Sequence, residues 1–439
     1  MDRKILQELV AWKGKKGRKP LLLKGVRQVG KTYILEHFGN AYFSKVHLFN
    51  FEKNSKLATL FEEDLSPESL INQLMYHSNQ TINPEKDLVI FDEIQACPRA
   101  LTSLKYFQED MPQLALCAAG SLLGVYLTPV SFPVGKVDML TMYPMTFEEF
   151  LFAIGEERSL EWIEKLGRTS TLPNMVHDRL WEYLKWYFIV GGLPEAVKIF
   201  RDERQDLFSS FLAVRKKQKE LITAYYADMT KHAGKVNAMH LDRIFSSIPI
   251  QLAQAQDGSA KRFRFQGVVP NINRYSRLIG AIDWLLAAGL ITKVPICHYA
   301  KFPLKAFTQE NFFKLYIFDI GILGALSELP PKVIMEANYG TYKGYLAENY
   351  VAQAFLRPAE GSLVCWQEKS AEVEFLRVID DVIIPVEVKS GWVTKAKSLS
   401  IFDQKYHPPY RVIFSGKPFS IRDGIHNYPL YLADRFPAG

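Results

Sequence analysis

Eight consecutive residues of this chain have the types and spacing to hold a polyphosphate. Gly25-Val26-Arg27-Gln28-Val29-Gly30-Lys31-Thr32 fits the pattern G-x-x-x-x-G-K-[ST]. The glycines let the backbone turn until several amide N–H groups face one phosphate. A helix opening near Lys31 would aim its positive dipole end at the same anion. In such a loop Lys31 bridges the β- and γ-phosphates of ATP, and the Thr32 hydroxyl ligates Mg²⁺. About sixty residues further on, Leu88-Val89-Ile90-Phe91-Asp92-Glu93 is an apolar run closed by two acids. Asp92 is suited to hold Mg²⁺ through water, and Glu93 to polarise an attacking water as general base. Another apolar run ends at Gly120-Ser121 and offers the Ser121 hydroxyl as a reader of the γ-phosphate.

A second constellation lies near the C-terminus, in Glu372-Val373-Glu374-Phe375, the Asp380-Asp381 pair and Pro385-Val386-Glu387-Val388-Lys389. A hairpin turning at Asp380-Asp381 sets Ile379 against Val382, Glu374 against Glu387 and Glu372 against Lys389. Side chains alternate faces along a strand. Strict alternation therefore puts Glu372, Glu374, Glu387 and Lys389 on one face and Val373, Phe375, Val386 and Val388 on the other. Opposed carboxylates repel unless a positive charge lies between them. A divalent metal held by Glu374 and Glu387 would supply that charge, with Lys389 orienting or deprotonating a water. The alternation alone describes a hairpin with one solvated face equally well.

Lys261-Arg262-Phe263-Arg264-Phe265 alternates cations with aromatics, so Lys261, Arg262 and Arg264 are candidates for phosphate contacts on nucleic acid. A hairpin with one wet and one core face gives the same pattern. The run from Arg215 to Lys219 reads as the solvated face of a helix. A net charge of +7 permits a nucleic-acid partner without demanding one. Cys97, Cys117, Cys297 and Cys365 form no CxxC pair and read as buried thiols in a reducing cytoplasm. No run is long and apolar enough to read as a membrane span, and the N-terminus lacks a signal-peptide core.

These residues need elements to position them. Ile5 to Trp12 reads as a short helix. Leu21-Leu22-Leu23, Asp87 to Phe91 and Leu114 to Ala119 are continuous apolar strands of the kind buried on both faces of a parallel sheet. Helical stretches between them predict a doubly wound α/β domain over residues 1–150. Residues 151–235 read as helical. Residues 236–303 hold helices followed by a β element, as in a winged-helix module. Residues 304–439 hold short strands, a helix around Lys343 to Leu356 and the strand pair from Ala371 to Lys389.

The blocks GVRQVGKT, FDEIQACP with LTSLK, AAGS, YPMTFEEF and YFIVGGLPEAV resemble AAA-type P-loop ATPases (the AAA_14 type) that carry a C-terminal DUF4143 domain. The resemblance runs from Lys24 to beyond Lys389. It implies a helical lid over 151–235 marked by Gly191-Gly192-Leu193-Pro194-Glu195, and a PD-(D/E)xK, restriction-endonuclease-like fold over 304–439. In that fold Glu348 matches an additional metal-binding acid on the first helix, beside Glu374, Glu387 and Lys389. Such ATPases often complete their sites with a neighbouring subunit's arginine, which implies a homo-oligomer. Two departures stand out. Gly135-Lys136 replaces the usual Gly-Arg, which loses a planar bidentate fork if that position acts on the triphosphate. Glu374 stands where the pattern places Asp, which moves the ligand by about one methylene.

Two functions of different classes follow. In one, ATP hydrolysis drives or licenses a DNA transaction, with cleavage at Glu374, Glu387 and Lys389. In the other, a slowly hydrolysed triphosphate sets a regulatory switch and the C-terminal domain only binds DNA or a protein. Glu93 favours the first, because a switch alone has no need of a general base.

Overall fold

The computed structural model describes residues 3–121, 133, 135–165, 172–255, 262–336, 344–357, 363–369, 371–391 and 396–437. The chain divides into two compact units, Met1–Tyr143 with Ala287–Gly289, and Pro144–Leu286 with Leu290–Gly439.

The first unit follows from its apolar runs. Helix α1 (Ile5–Gly14) precedes β1 (Leu21–Lys24), α2 (Lys31–Tyr42), β2 (Val46–Asn50), α3 (Pro67–Ser78), β3 (Leu88–Asp92), α4 (Pro98–Asp110), β4 (Ala115–Gly120) and β5 (Asp138–Thr141). The strands pair in the order β2-β3-β4-β1-β5, all parallel. Every residue of β3 and β4 is buried, as their unbroken apolar character requires of central parallel strands. On one face Val89, Phe91 and Leu116 meet Leu70, Leu74, Leu104 and Phe107. Phe91 makes edge-on contacts there with Phe49, Phe51, Phe61 and Phe107. Parallel pairing brings Lys24, Asn50, Asp92 and Gly120 to one end of the sheet, where a doubly wound sheet binds its ligands.

The second unit opens with helices α5 (Phe147–Ala153), α6 (Glu157–Glu164), α7 (Asn174–Val190), α8 (Pro194–Glu203), α9 (Leu207–Ala233), α10 (Lys235–Ala255) and α11 (Tyr275–Ala287). Thr146 and Glu149 start α5 with a reciprocal capping box. Strands β6 (Ile291–Cys297) and β7 (Thr308–Ile317) follow, then α12 (Ile320–Leu326), α13 (Pro331–Met335), α14 (Gly344–Phe355), β8 (Val364–Glu368), β9 (Ala371–Ile379), β10 (Val382–Val388), α15 (Lys397–Tyr406), β11 (Arg411–Ser415), β12 (Ser420–Arg422) and β13 (Ile425–Pro429). They form one mixed sheet in the order β12-β13-β11-β10-β9-β8-β6-β7. β6 joins β8 through Ile296↔Cys365 and Cys297↔Trp366, so the antiparallel pair β6–β7 is continuous with the C-terminal strands.

Gly191-Gly192 sits at a close backbone crossing within this unit. Gly191 has φ 74°, and a Cβ there would lie 2.3 Å from Asp319 Oδ1. The Gly192 amide donates to Asp319 Oδ2 at 2.7 Å and the Ile322 amide to Oδ1 at 3.0 Å. Burial pushes the Asp319 carboxyl up to about 6, against the pull of those amides.

Two expectations change. Arg215 is buried, donating to Gln218 Oε1 at 2.8 Å and to Gly321 O at 3.1 Å; only Lys216 and Lys219 of that run are exposed. Within β9, the pairing with β8 slips between Val364 and Trp366, where three steps on β9 match two on β8. That bulge breaks the strict alternation. Val373 packs with Leu399 and Phe402, while Phe375 meets Tyr316 and Phe355.

Candidate nucleotide site and acidic cluster

β1 runs out at Lys24, and the loop that follows is bent by residues in the left-handed region. Gln28 has φ 66° and Gly30 φ 98°, and α2 starts at Lys31. Gly25 has to be glycine here, since a Cβ would lie 2.4 Å from Met142 O. The Lys31 ammonium donates to Gly25 O at 2.9 Å and Val26 O at 3.0 Å. Burial lowers its pKa to about 8, with Glu93 and Asp92 opposing and Arg27 adding to the fall.

Thr32 Oγ1 lies 3.0 Å from both carboxylate oxygens of Asp92. Burial, and then the neighbouring Glu93, raise the Asp92 carboxyl; Thr32 and Asn50 work against that rise. Glu93 sits at φ 50°, and its Oε2 accepts from Ser121 Oγ at 3.1 Å and from Gln95 Nε2 at 2.5 Å. Lys31, Thr32, Asp92, Glu93 and Ser121 thus stand together at the carboxyl ends of β1, β3 and β4, with Val26, Arg27, Gln28 and Val29 forming the loop between.

Two members of this group escape motif reading. Asn50 closes β2 in register with Asp92 and donates to Asp92 Oδ2 at 2.7 Å. Its own Oδ1 accepts from the Glu52 and Lys53 amides at 3.1 and 2.7 Å, which fixes the side chain. Gln95 holds Glu93. A polar residue ending an otherwise apolar strand is the signal that would have found Asn50. Lys136 pairs with Glu109 at 2.9 Å.

The predicted C-terminal hairpin register is observed from Ile379↔Val382 to Phe375↔Val386, and Glu374 and Glu387 are the next residues along each strand. Glu387 is 4% exposed and Glu348 5%. Glu372, Glu374 and Lys389 are half-buried, so this face of the hairpin is only partly open to solvent. Glu387 Oε1 meets Lys389 Nζ at 2.5 Å. Glu348 Oε1 accepts from Lys314 Nζ at 2.8 Å and Tyr316 OH at 2.5 Å, and Lys314 also pairs with Glu372. Burial and then Glu387 push the Glu374 carboxyl well up; burial also raises Glu387, with Lys389 opposing. Burial works against the Lys389 charge, yet Glu374 and Glu387 hold its ammonium above the ordinary value. Glu374 Oε2 and Glu387 Oε2 are buried without a hydrogen-bond partner. Among the described residues no three of His, Cys, Asp and Glu are grouped to hold a metal ion.

Arg262 and Arg264 are exposed on either side of buried Phe263, and the Arg262 guanidinium lies 4.0 Å from the Phe312 ring centre. Lys261 lies outside the described residues. The four cysteines are buried and free. Among the described residues no helix is long and apolar enough to cross a membrane.

Comparison with known proteins matches residues 17–151 to the AAA_14 family, an AAA domain. Residues 182–333 match DUF8612 and residues 343–433 match DUF4143, both domains of unknown function. No curated protein matches the chain. Among solved structures, the Walker-type ATPase paby2304 of Pyrococcus abyssi shows 16% identity and a TM-score of 0.46, covering 74% of this chain and 95% of its own. The Orc1 protein of Aeropyrum pernix in complex with DNA shows 14% identity and a TM-score of 0.29, covering 75% and 91%. AMPPCP-bound DnaA of Aquifex aeolicus shows 17% identity and a TM-score of 0.29, covering 64% and 85%.

Proposed function

We propose that this chain, whose residues 17–151 are an AAA_14 domain, is a Mg²⁺-dependent ATPase acting on nucleic acid in the cytoplasm. The observation that carries the reading is the gathering of Lys31, Thr32, Asp92 and Glu93 at one end of a parallel sheet. The donor set suits the metal: a hydroxyl and a buried carboxylate steadied by Asn50 are hard oxygen ligands. Thr32 and Asp92 would hold Mg²⁺, whose chemistry is to neutralise charge on the phosphates. Lys31 leaves Gly25 O and Val26 O to meet the triphosphate, and its ammonium is favoured there by the anion. Glu93 accepts the proton of an attacking water at its carboxylate, which Ser121 and Gln95 hold in place. Gly25 to Gly30 supply backbone N–H groups to the phosphates.

The C-terminal hairpin is proposed as a nuclease-like metal site on a PD-(D/E)xK scaffold. The orphaned oxygens of Glu374 and Glu387 support this, since buried carboxylate oxygens without partners are costly unless a cation meets them. A divalent ion there would activate water, and Lys389 would hold that water or take its proton. Arg262 and Arg264 would meet nucleic-acid phosphates.

Calorimetry of ATP with Mg²⁺ tests the first part. Lys31→Ala should abolish binding, and unchanged affinity overturns the assignment. In turnover assays with and without DNA, Glu93→Gln should cut hydrolysis by about a hundredfold or more. Tight nucleotide retention with negligible turnover in the wild type would mark the regulatory switch instead.

A further inference from the structure

The acidic cluster of the second unit holds more negative charge than its hairpin accounts for. Glu348, Glu372, Glu374 and Glu387 lie within electrostatic reach of two ammonium groups, Lys314 and Lys389. The positive charges are not spread evenly. Lys314 rises from β7, is 6% exposed, and serves Glu348 and Glu372 together. Tyr316, two residues on along the same strand, adds its hydroxyl to the same Glu348 oxygen at 2.5 Å. Lys389 serves Glu387 through Oε1 only. The orphaned oxygens are then confined to one side: Glu374 Oε2 and Glu387 Oε2 have no partner, and Glu387 is itself 4% exposed.

We infer that Lys314 is a resident counter-cation that fills one positive position of the cluster, so that the site takes a single divalent ion held by Glu374 and Glu387. Glu348 is Lys314's partner and not an ion ligand. The inference rests on the metal-site reading of the hairpin and adds to it a positioning residue that no motif contains. The physical ground is charge balance. A buried carboxylate needs either hydrogen-bonded positive charge or a metal, and a fixed ammonium already satisfies Glu348 and Glu372. A second ion beside Lys314 would meet like charge at close range with little water to screen it.

The test is Mn²⁺ calorimetry on the full chain carrying Asp92→Asn, which silences the nucleotide-side ligand, with no nucleotide present. This parent should take one equivalent. Glu374→Gln should weaken binding at least about tenfold, as loss of a ligand does, whereas Glu348→Gln should change it by less than about fivefold. Lys314→Met should add a second equivalent or tighten the first about tenfold, and Lys314→Arg, which keeps the charge, should leave the single equivalent. Unchanged binding in a folded Lys314→Met chain, or a tenfold loss in Glu348→Gln, overturns the inference; the Glu348→Gln arm decides even where Lys314→Met does not fold. If the parent takes no ion and Lys314→Met gains one, the counter-cation stands and the ion-loaded reading of the natural chain falls. If neither takes an ion, both fall.

Discussion

Lys31 is the residue on which the proposed nucleotide binding turns, and its burial has a consequence in pH. Desolvation holds its folded pKa near 8, below the ordinary lysine value. Binding a triphosphate favours the ammonium, so a proton is taken up wherever the free protein has lost it. ATP affinity is therefore expected to fall as pH rises through about 8 toward 10. Lys31→Arg, which stays charged throughout, should flatten that dependence. Calorimetry in two buffers of different ionisation enthalpy would show proton uptake near pH 8; none at all would mean that burial does not depress this lysine. Asn50 belongs to the same scale. Its removal strips one of the hydrogen bonds that steady Asp92. Asn50→Ala should weaken Mg²⁺-dependent ATP binding about tenfold while leaving the fold intact, read from calorimetry with and without the metal.

At the scale of elements, the sharpest constraint is the crossing at Gly191. A side chain there would need φ 74° and space already taken by Asp319 and the Gly321 backbone, whose nearest atoms stand 2.3 and 2.9 Å from the Cβ position. Gly191→Ala should cost about 2–5 kcal/mol, measured by urea midpoint. Asp319 adds a pH signature. Its folded pKa near 6 lies above the unfolded carboxylate value, so the folded chain binds the extra proton. Its contribution to stability is complete below about pH 4 and is lost as pH rises through about 6. Measured against Asp319→Asn, the wild-type advantage should shrink by on the order of 2–3 kcal/mol between pH 4 and 7. A difference that grows with pH would reverse the sign and refute the assignment.

The same scale shows why some of the molecule could be read in advance. The phosphate loop, the DLVIF strand and the Asp380-Asp381 hairpin each lie within a short stretch, so spacing alone determines their geometry. Asp319 meets Gly192 across 127 residues, and Lys314 meets Glu348 across 34, with no motif joining either pair. Arg215 sits in a basic run whose composition suggests water, although its guanidinium is spent on buried carbonyl and amide oxygens. The bulge in β9 is equally silent, because one extra residue changes the face of a side chain without changing the hydrophobic pattern.

At the scale of the whole molecule, the nucleotide residues and the acidic cluster belong to different compact units, each with its own sheet. Lys389→Ala should therefore remove any Mg²⁺-dependent DNA nicking and leave ATP hydrolysis within about twofold, while Glu93→Gln should do the reverse; sites that share no partner residues behave independently. Nicking that survives Lys389→Ala would come from elsewhere.

The join of β6 to β8 governs how the chain can be dissected. A fragment beginning at Leu304, or at residue 343 where the DUF4143 match starts, sheds Ile296 and Cys297, leaving β8 paired with β9 alone and its other edge, at Cys365 and Trp366, bare. Rims of that kind recruit other chains. Such fragments should come out of cells as aggregates, and a piece begun at Pro144 should stay in solution through size-exclusion chromatography.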